Sequence, residues 1–206
     1  MISARKRGAA LRCFFALSLP EEVQRACAAL VALLRRRADG DAVRWVRPEA
    51  AHLTLRFLGN VAAELLPGLI EAAQDALAQG TPFELRLLAP VGFPARSRPR
   101  VVVLPAVPEG PIEALAEQLE RVVVAAGLPA ERRVFRPHVT LGRLRSHRLP
   151  SLEGLAGPQP GTTRVREAVL FRSDLEREGA RYSALARIPI GSGAPGLSLA
   201  SAGKNA

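Results

Sequence analysis

Two tetrapeptides of one form, His52-Leu53-Thr54-Leu55 and His138-Val139-Thr140-Leu141, lie in opposite halves of the chain. Each follows an Arg-Pro pair, Arg47-Pro48 and Arg136-Pro137. The chain holds only three histidines, and this pattern takes two of them. Successive side chains of a strand point to opposite faces. Each copy therefore sets an imidazole and a hydroxyl on one side and two aliphatic anchors on the other. Histidine titrates near neutral pH, so two imidazoles brought together can hold opposite protonation states, one giving and one taking a proton across a shared substrate. One such tetrapeptide arises by chance; two with matched flanks are a strong signal. The third histidine, His147 in Arg145-Ser146-His147-Arg148, reads as a solvated loop residue. No H-E-x-x-H or C-x-x-C spacing accompanies the three, so no metal site is expected. No Gly-rich phosphate loop of the P-loop type is present, so ATP use is not indicated and no cofactor is expected.

The elements that must position these residues are legible from periodicity. Leu11 to Leu19 reads as a strand. Pro20-Glu21-Glu22 opens a helix reaching about Arg37, with Val23, Cys27, Leu30, Val31 and Leu34 at helical spacing. A short strand follows at Ala42 to Val46. The first histidine strand runs from His52 to Leu58 and is expected to end at Gly59-Asn60. A second helix spans about Ala62 to Ala78, and strands are expected at Phe83 to Leu88 and Arg100 to Val107. Between these lies a loop, Pro94-Ala95-Arg96-Ser97-Arg98-Pro99, whose arginines either hold phosphates or simply face solvent. A third helix covers about Pro111 to Ala126, capped by Gly127. The second histidine strand, a loop over 146–162, and strands near Arg164 to Phe171 and Ala180 to Ile190 complete the pattern. This order predicts an α+β fold of largely antiparallel sheet in two pseudo-equivalent lobes, helices outside and the histidines lining the cleft between. Residues 1–10 read as a basic extension, 11–190 as one bilobal domain, and 191–206, rich in Gly, Ser and Ala without periodicity, as a disordered tail.

Composition narrows the function classes. Hydrophobic residues make up 48% and charged residues 23% of 206, ordinary for a folded domain with its own core. No run approaches the ~18 apolar residues of a membrane span. The apolar start lacks a sustained h-region and an A-x-A cleavage site, so a cytoplasmic protein without membrane attachment is expected. Cys13 and Cys27 read as small core residues. The formal net charge is +10, carried almost wholly by arginine, with lysine only at Lys6 and Lys204. Guanidinium pairs with phosphate in a bidentate fork, which favours phosphate-bearing partners; a GC-rich genome equally explains the choice of arginine over lysine. Trp45 has two readings, core packing or stacking on a base.

The paired motifs resemble those of the 2H phosphoesterases. The flanks Phe14-Phe15-Ala16-Leu17, Arg44-Trp45-Val46-Arg47-Pro48, Phe135-Arg136-Pro137-His138 and Ala180-Arg181-Tyr182 resemble the RNA 2′,3′-cyclic phosphodiesterase branch, also called 2′-5′ RNA ligase-like. The resemblance covers roughly Leu11 to Ile190. It implies a bilobal α+β fold and hydrolysis of RNA 2′,3′-cyclic phosphate ends to 2′-phosphomonoesters. It also implies His52 as proton donor, His138 as proton acceptor, and Thr54 and Thr140 as phosphate-binding hydroxyls. Arg56 stands where many relatives carry lysine and, under strict alternation, shares the face of His52. Arg143 resembles a family position near the phosphate, yet strict alternation turns it away, so it needs a strand end or a bulge. The partner implied is an RNA with a 2′,3′-cyclic phosphate end, tRNA fragments among the candidates, acted on by a monomer. The alternatives are a non-catalytic RNA- or nucleotide-binding module, or the same chemistry on a small cyclic nucleotide or in reverse as 2′-5′ ligation.

Overall fold

The computed structural model describes residues 10–37, 40–95, 97–146, 148–176 and 179–191. The expected basic extension (save Ala10), the tail beyond Gly191, Arg96 and His147 lie outside them. Ten strands are described: β1 (Ala10–Ser18), β2 (Val43–Trp45), β3 (His52–Ala62), β4 (Phe83–Leu87), β5 (Val91–Phe93), β6 (Val101–Val107), β7 (His138–Leu144), β8 (Thr162–Val165), β9 (Glu167–Glu176) and β10 (Gly179–Pro189). Three helices, α1 (Glu21–Arg35), α2 (Leu66–Leu77) and α3 (Glu109–Ala125), accompany them. The main strand order is β10-β9-β1-β3-β7-β6-β4-β8, with β2 on β7 and β5 on β6. Every described pairing is antiparallel. The fold is the α+β arrangement expected, a curled, mostly antiparallel sheet with three helices.

The centre of the sheet is internally repeated. β1-α1-β3 and β6-α3-β7 are each a strand, a helix and a histidine strand, and β3 meets β7 in the middle. The helices form because apolar side chains recur at their period. In α1 the buried set is Val23, Cys27, Leu30, Val31 and Leu34, with Glu21 and Glu22 in the first turn and Arg35 in the last, where each suits the helix dipole. In α3 it is Ile112, Leu115, Ala116, Leu119 and Val123. These faces join Leu17, Leu53, Leu55, Leu104, Val139 and Leu141 in one core cluster. The aliphatic half of each histidine motif is thus the part that the core holds. Leu53 and Val139 are both fully buried, and truncating a buried leucine such as Leu53 to Ala costs about 2–5 kcal/mol.

Three differences from the sequence reading have local causes. The first histidine strand does not stop at Gly59. Gly59 adopts a φ of 72°, a conformation glycine reaches without steric penalty, and β3 continues to Ala62 along β1. The strand expected near 164–171 is two strands: β8 pairs with β4 at one end of the sheet, and β9 pairs with β1 near the other. They separate at Arg166, whose carbonyl accepts a hydrogen bond from Ile190 N at 2.8 Å. The short strand β5, too brief for periodicity to reveal, hydrogen-bonds to β6. Trp45 packs partly buried against the core.

Candidate active site

β3 and β7 are in register at Leu53 and Val139. In an antiparallel pair, stepping one residue along one strand steps one residue back along the other. His52 therefore stands opposite Thr140, and Thr54 opposite His138. All four lie on the face away from the core, where each is partly exposed while Leu53 and Val139 are fully buried. The two imidazoles sit on a diagonal, for which neighbours are roughly 7–8 Å apart, the Cβ atoms somewhat closer. Each histidine thus has one threonine beside it on its own strand and one across from it. An anion placed at the centre of this diamond meets two ring nitrogens and two hydroxyls.

Both motifs carry a bulge at the same position. Against β1, Phe15 pairs with Arg56 and Ala16 with Thr54, so Leu55 is the extra residue. Against β6, Val102 pairs with Gly142 and Val103 with Thr140, so Leu141 is the extra residue. A bulge resets the alternation beyond it. The consequence for Arg56 is a correction: it does not share the face of His52. Its side chain turns to the helix side, only 7% of the residue is exposed, and it forms an ion pair with Glu120 of α3. It also donates to the carbonyls of Phe57 and Pro129. Each of its three guanidinium nitrogens thereby donates within the fold, and the bonds to Glu120 and Pro129 tie β3 to α3 and the loop after it. The consequence for Arg143 is the reverse. The bulge at Leu141 returns it to the histidine face, where its charge acts on the Tyr182 hydroxyl. Gly142, just before it, lies so close to β2 that a Cβ would come within 2.5 Å of Val43 Cγ1 and 2.9 Å of Trp45 Cε3. Only a glycine lets β2 cover this side of the motif.

The ring orientations are fixed by the backbone. His52 Nδ1 lies 2.7 Å from the Ala50 carbonyl, and His138 Nδ1 lies 2.6 Å from the Arg136 carbonyl. A carbonyl only accepts, so both Nδ1 atoms carry hydrogen and both Nε2 atoms remain for chemistry. His52 Nε2 is 3.0 Å from Thr54 Oγ1. In the neutral ring this nitrogen accepts from the hydroxyl; in the imidazolium it donates to it. Burial lowers the pKa of both histidines by disfavouring the charged ring, and the Ala50 and Arg136 carbonyls partly oppose the shift. The proximity of His138 lowers His52 a little further.

Aromatic side chains concentrate here. The chain has seven Phe, one Tyr and one Trp, and four of the Phe with the Tyr gather around the two motifs. Phe14 lies under His52 at 4.8 Å between ring centroids, and Tyr182 meets the same imidazole edge-on at 5.0 Å. Phe171 and Phe57 pack on Phe14. Phe93 stacks on His138 at 4.8 Å. In the sequence Phe14 and Tyr182 stand only as flanks of the resemblance, and nothing there singles out Phe57, Phe93 or Phe171. Scarcity was the available signal: in a chain with only nine aromatic residues, each ring in a strand is a candidate for a special face. Among the described residues no three or more His, Cys, Asp or Glu side chains group closely enough to hold a metal ion.

With this geometry in hand, comparison with known proteins is decisive for kinship. A model of the 2′-5′ RNA ligase superfamily matches residues 19–177. This chain belongs to that superfamily. The matched span contains both histidine motifs and all three helices. A Thermus thermophilus protein named RNA 2′,3′-cyclic phosphodiesterase is 33% identical over 189 residues, covering 87% of this chain and 90% of its own length. A Geobacillus stearothermophilus protein of the same name is 30% identical over 149 residues, which are 71% of this chain but only 47% of that protein. The crystal structure of Escherichia coli LigT complexed with 3′-AMP superposes with a TM-score of 0.75 at 28% identity, covering 88% of this chain and 98% of LigT. The family's fold is therefore this protein's fold. Of membrane attachment the structure says one thing: no described helix is long and apolar enough to cross a bilayer.

Proposed function

We propose that this protein hydrolyses RNA 2′,3′-cyclic phosphate ends to 2′-phosphomonoesters, using His52 and His138 as acid and base. The observation that carries this reading is the crossed His-Thr arrangement, with both Nδ1 atoms held by backbone carbonyls and both Nε2 atoms left for chemistry, that of His52 hydrogen-bonded to the Thr54 hydroxyl. The names of the relatives support the substrate. In the productive enzyme His138 is neutral and His52 is protonated. His138 Nε2 takes a proton from water as the water oxygen bonds to phosphorus. The bond from phosphorus to O3′ breaks, and His52 gives its proton to that oxygen. Thr54, Thr140 and Arg143 donate to the phosphoryl oxygens, whose negative charge grows in the transition state. Arg56 has no part in this step, since its donors are engaged with Glu120 and two carbonyls.

Burial lowers both histidines in the free enzyme, so an imidazolium is disfavoured until the anionic phosphate arrives and restores it. Substrate binding thus creates the acid it needs. The test is to incubate the pure protein, with EDTA present, on an RNA oligonucleotide bearing a 2′,3′-cyclic phosphate. The expected product carries a 2′-phosphate and a free 3′-hydroxyl. A 3′-phosphate product, or activity that disappears on chelation, overturns the mechanism.

A further inference from the structure

A cavity of about 580 Å³ opens beside His52, on the side away from His138, which does not line it. Its wall runs from the end of β1 past Ala50, Ala51 and His52 to Phe171 and Tyr182, and then to β8 and the start of β9. Three arginines line it: Arg164, Arg166 and Arg187. Arg187 is neutralised by an ion pair with Glu167. Arg164 and Arg166 are exposed and form no side-chain hydrogen bond or ion pair among the described residues. The remaining carboxylate in the lining is Glu49. Unpaired guanidinium groups in a concave site next to a phosphate-handling centre are suited to bind a second phosphate.

Covalent connectivity says which phosphate that is. The leaving oxygen, O3′, sits on C3′; C3′ is bonded to C4′, and C4′ carries C5′, O5′ and the 5′-phosphate. The 5′-phosphate therefore departs from the O3′ side of the ribose, and O3′ faces the proton donor. With His52 as that donor, the 5′-phosphate is directed to the His52 side, where the cavity lies. We infer that Arg164 and Arg166 form a subsite for the 5′-phosphate of the terminal nucleotide. In an RNA chain this group is the last internucleotide linkage. The enzyme then selects chain ends over free cyclic nucleosides that lack a 5′-phosphate. This inference rests on the proposed role of His52. The break between β8 and β9 at Arg166 acquires a purpose from it, because two arginines two residues apart at a strand end both reach the same cavity.

The experiment compares two substrates that differ in one group: adenosine 2′,3′-cyclic phosphate, and the same compound carrying a 5′-phosphate. Wild type is expected to show a KM about tenfold lower for the 5′-phosphorylated compound, the effect of one good charge-assisted contact. In R164Q/R166Q the two KM values should converge, because the 5′-phosphorylated compound loses more than the 5′-hydroxyl one. R121Q, which removes the same charge from the exposed side of α3, should keep the preference. No preference in wild type, or an equal change for both substrates in R164Q/R166Q, overturns the subsite. A binding measurement separates this from failure of the proposed reaction. Adenosine 2′,5′-bisphosphate should bind wild type more tightly than adenosine 2′-phosphate, and R164Q/R166Q should lose that difference. If neither cyclic compound is hydrolysed yet the binding difference appears and is lost in the variant, the reaction is wrong and the subsite stands. If hydrolysis proceeds without any binding difference, the subsite is wrong and the reaction stands.

Discussion

At the scale of residues, the central fact is that two imidazoles share one face and are both pushed toward neutrality by burial. Replacing either His52 or His138 by Ala should lower turnover by roughly 10²–10⁴-fold or more, the usual contribution of a general acid or base. The double variant should lose far less than the product of the two, because the pair works as a unit. Steady-state turnover of the three variants checks this, and wild-type turnover in H138A would remove His138 from the mechanism. The pKa directions add a pH prediction. The acid must be protonated, and burial lowers its pKa in the free enzyme, so kcat/KM should fall on the alkaline side at lower pH than an ordinary histidine would allow. Bound phosphate favours the imidazolium, so the alkaline limb of kcat should lie at higher pH than that of kcat/KM. Coincident alkaline limbs in a pH-rate study, with chemistry rate-limiting, would count against a substrate-restored acid. The histidines and threonines were legible in sequence because alternation over three residues needs no knowledge of the partner strands. Arg56 was misplaced, and Arg143 could be placed only on condition of a bulge, because each lies just beyond an irregularity that only the register with β1 or β6 reveals.

At the scale of elements, Arg56 shows how the site is held rather than how it reacts. Glu120 accepts from Arg56 and, at 2.8 Å, from the backbone N of Glu131, so one carboxylate ties β3, α3 and the following loop together. Removing it leaves a nearly buried guanidinium unpaired. Breaking such a pair costs about 3–5 kcal/mol, and the partial exposure of Glu120, 27% of its side chain, places E120A at the low end. Thermal unfolding should show a Tm lower by several degrees, while kcat of the folded fraction stays within a few-fold of wild type. A loss of turnover by two orders of magnitude with unchanged Tm would instead return Arg56 to the chemistry. The helices were legible to about two residues at their ends, since their apolar faces repeat at the helical period against one core, except at the start of α2, expected near Ala62 and found at Leu66 after a short 3₁₀ turn over Ala63–Leu65. The strands were less so. Gly59 reads as a stop in isolation and is a passage in context, and β8 and β9 read as one strand because nothing local separates Val165 from Glu167 except the opposite ends of the sheet to which they belong.

At the scale of the whole molecule, charge is segregated between layers. Acidic residues gather on the helices, Glu21 and Glu22 on α1, Glu71 and Asp75 on α2, and Glu109, Glu113, Glu117 and Glu120 on α3. The sheet and its edges carry arginines such as Arg12, Arg44, Arg143 and Arg164, within a formal net charge of +10. A field of this shape draws a polyanion toward the sheet side, where the histidines are, and away from the helices. Simple counting yields the magnitude of the charge, but its direction needs the fold, because helix and strand residues alternate along the chain. The field acts on every phosphate of an RNA end, whereas a cyclic mononucleotide presents only the reacting one. Each phosphate contact on a single strand contributes about −0.7 to the slope of log affinity against log salt. Plots of log kcat/KM against log salt should therefore steepen from a cyclic mononucleotide to a dinucleotide to a tetranucleotide, then level off once the strand leaves the arginine-bearing surface. Kinetics at fixed pH across a salt series measures this directly. Equal slopes for all three lengths would mean that the enzyme meets only the terminal phosphate, and that the positive charge serves something other than binding the RNA chain.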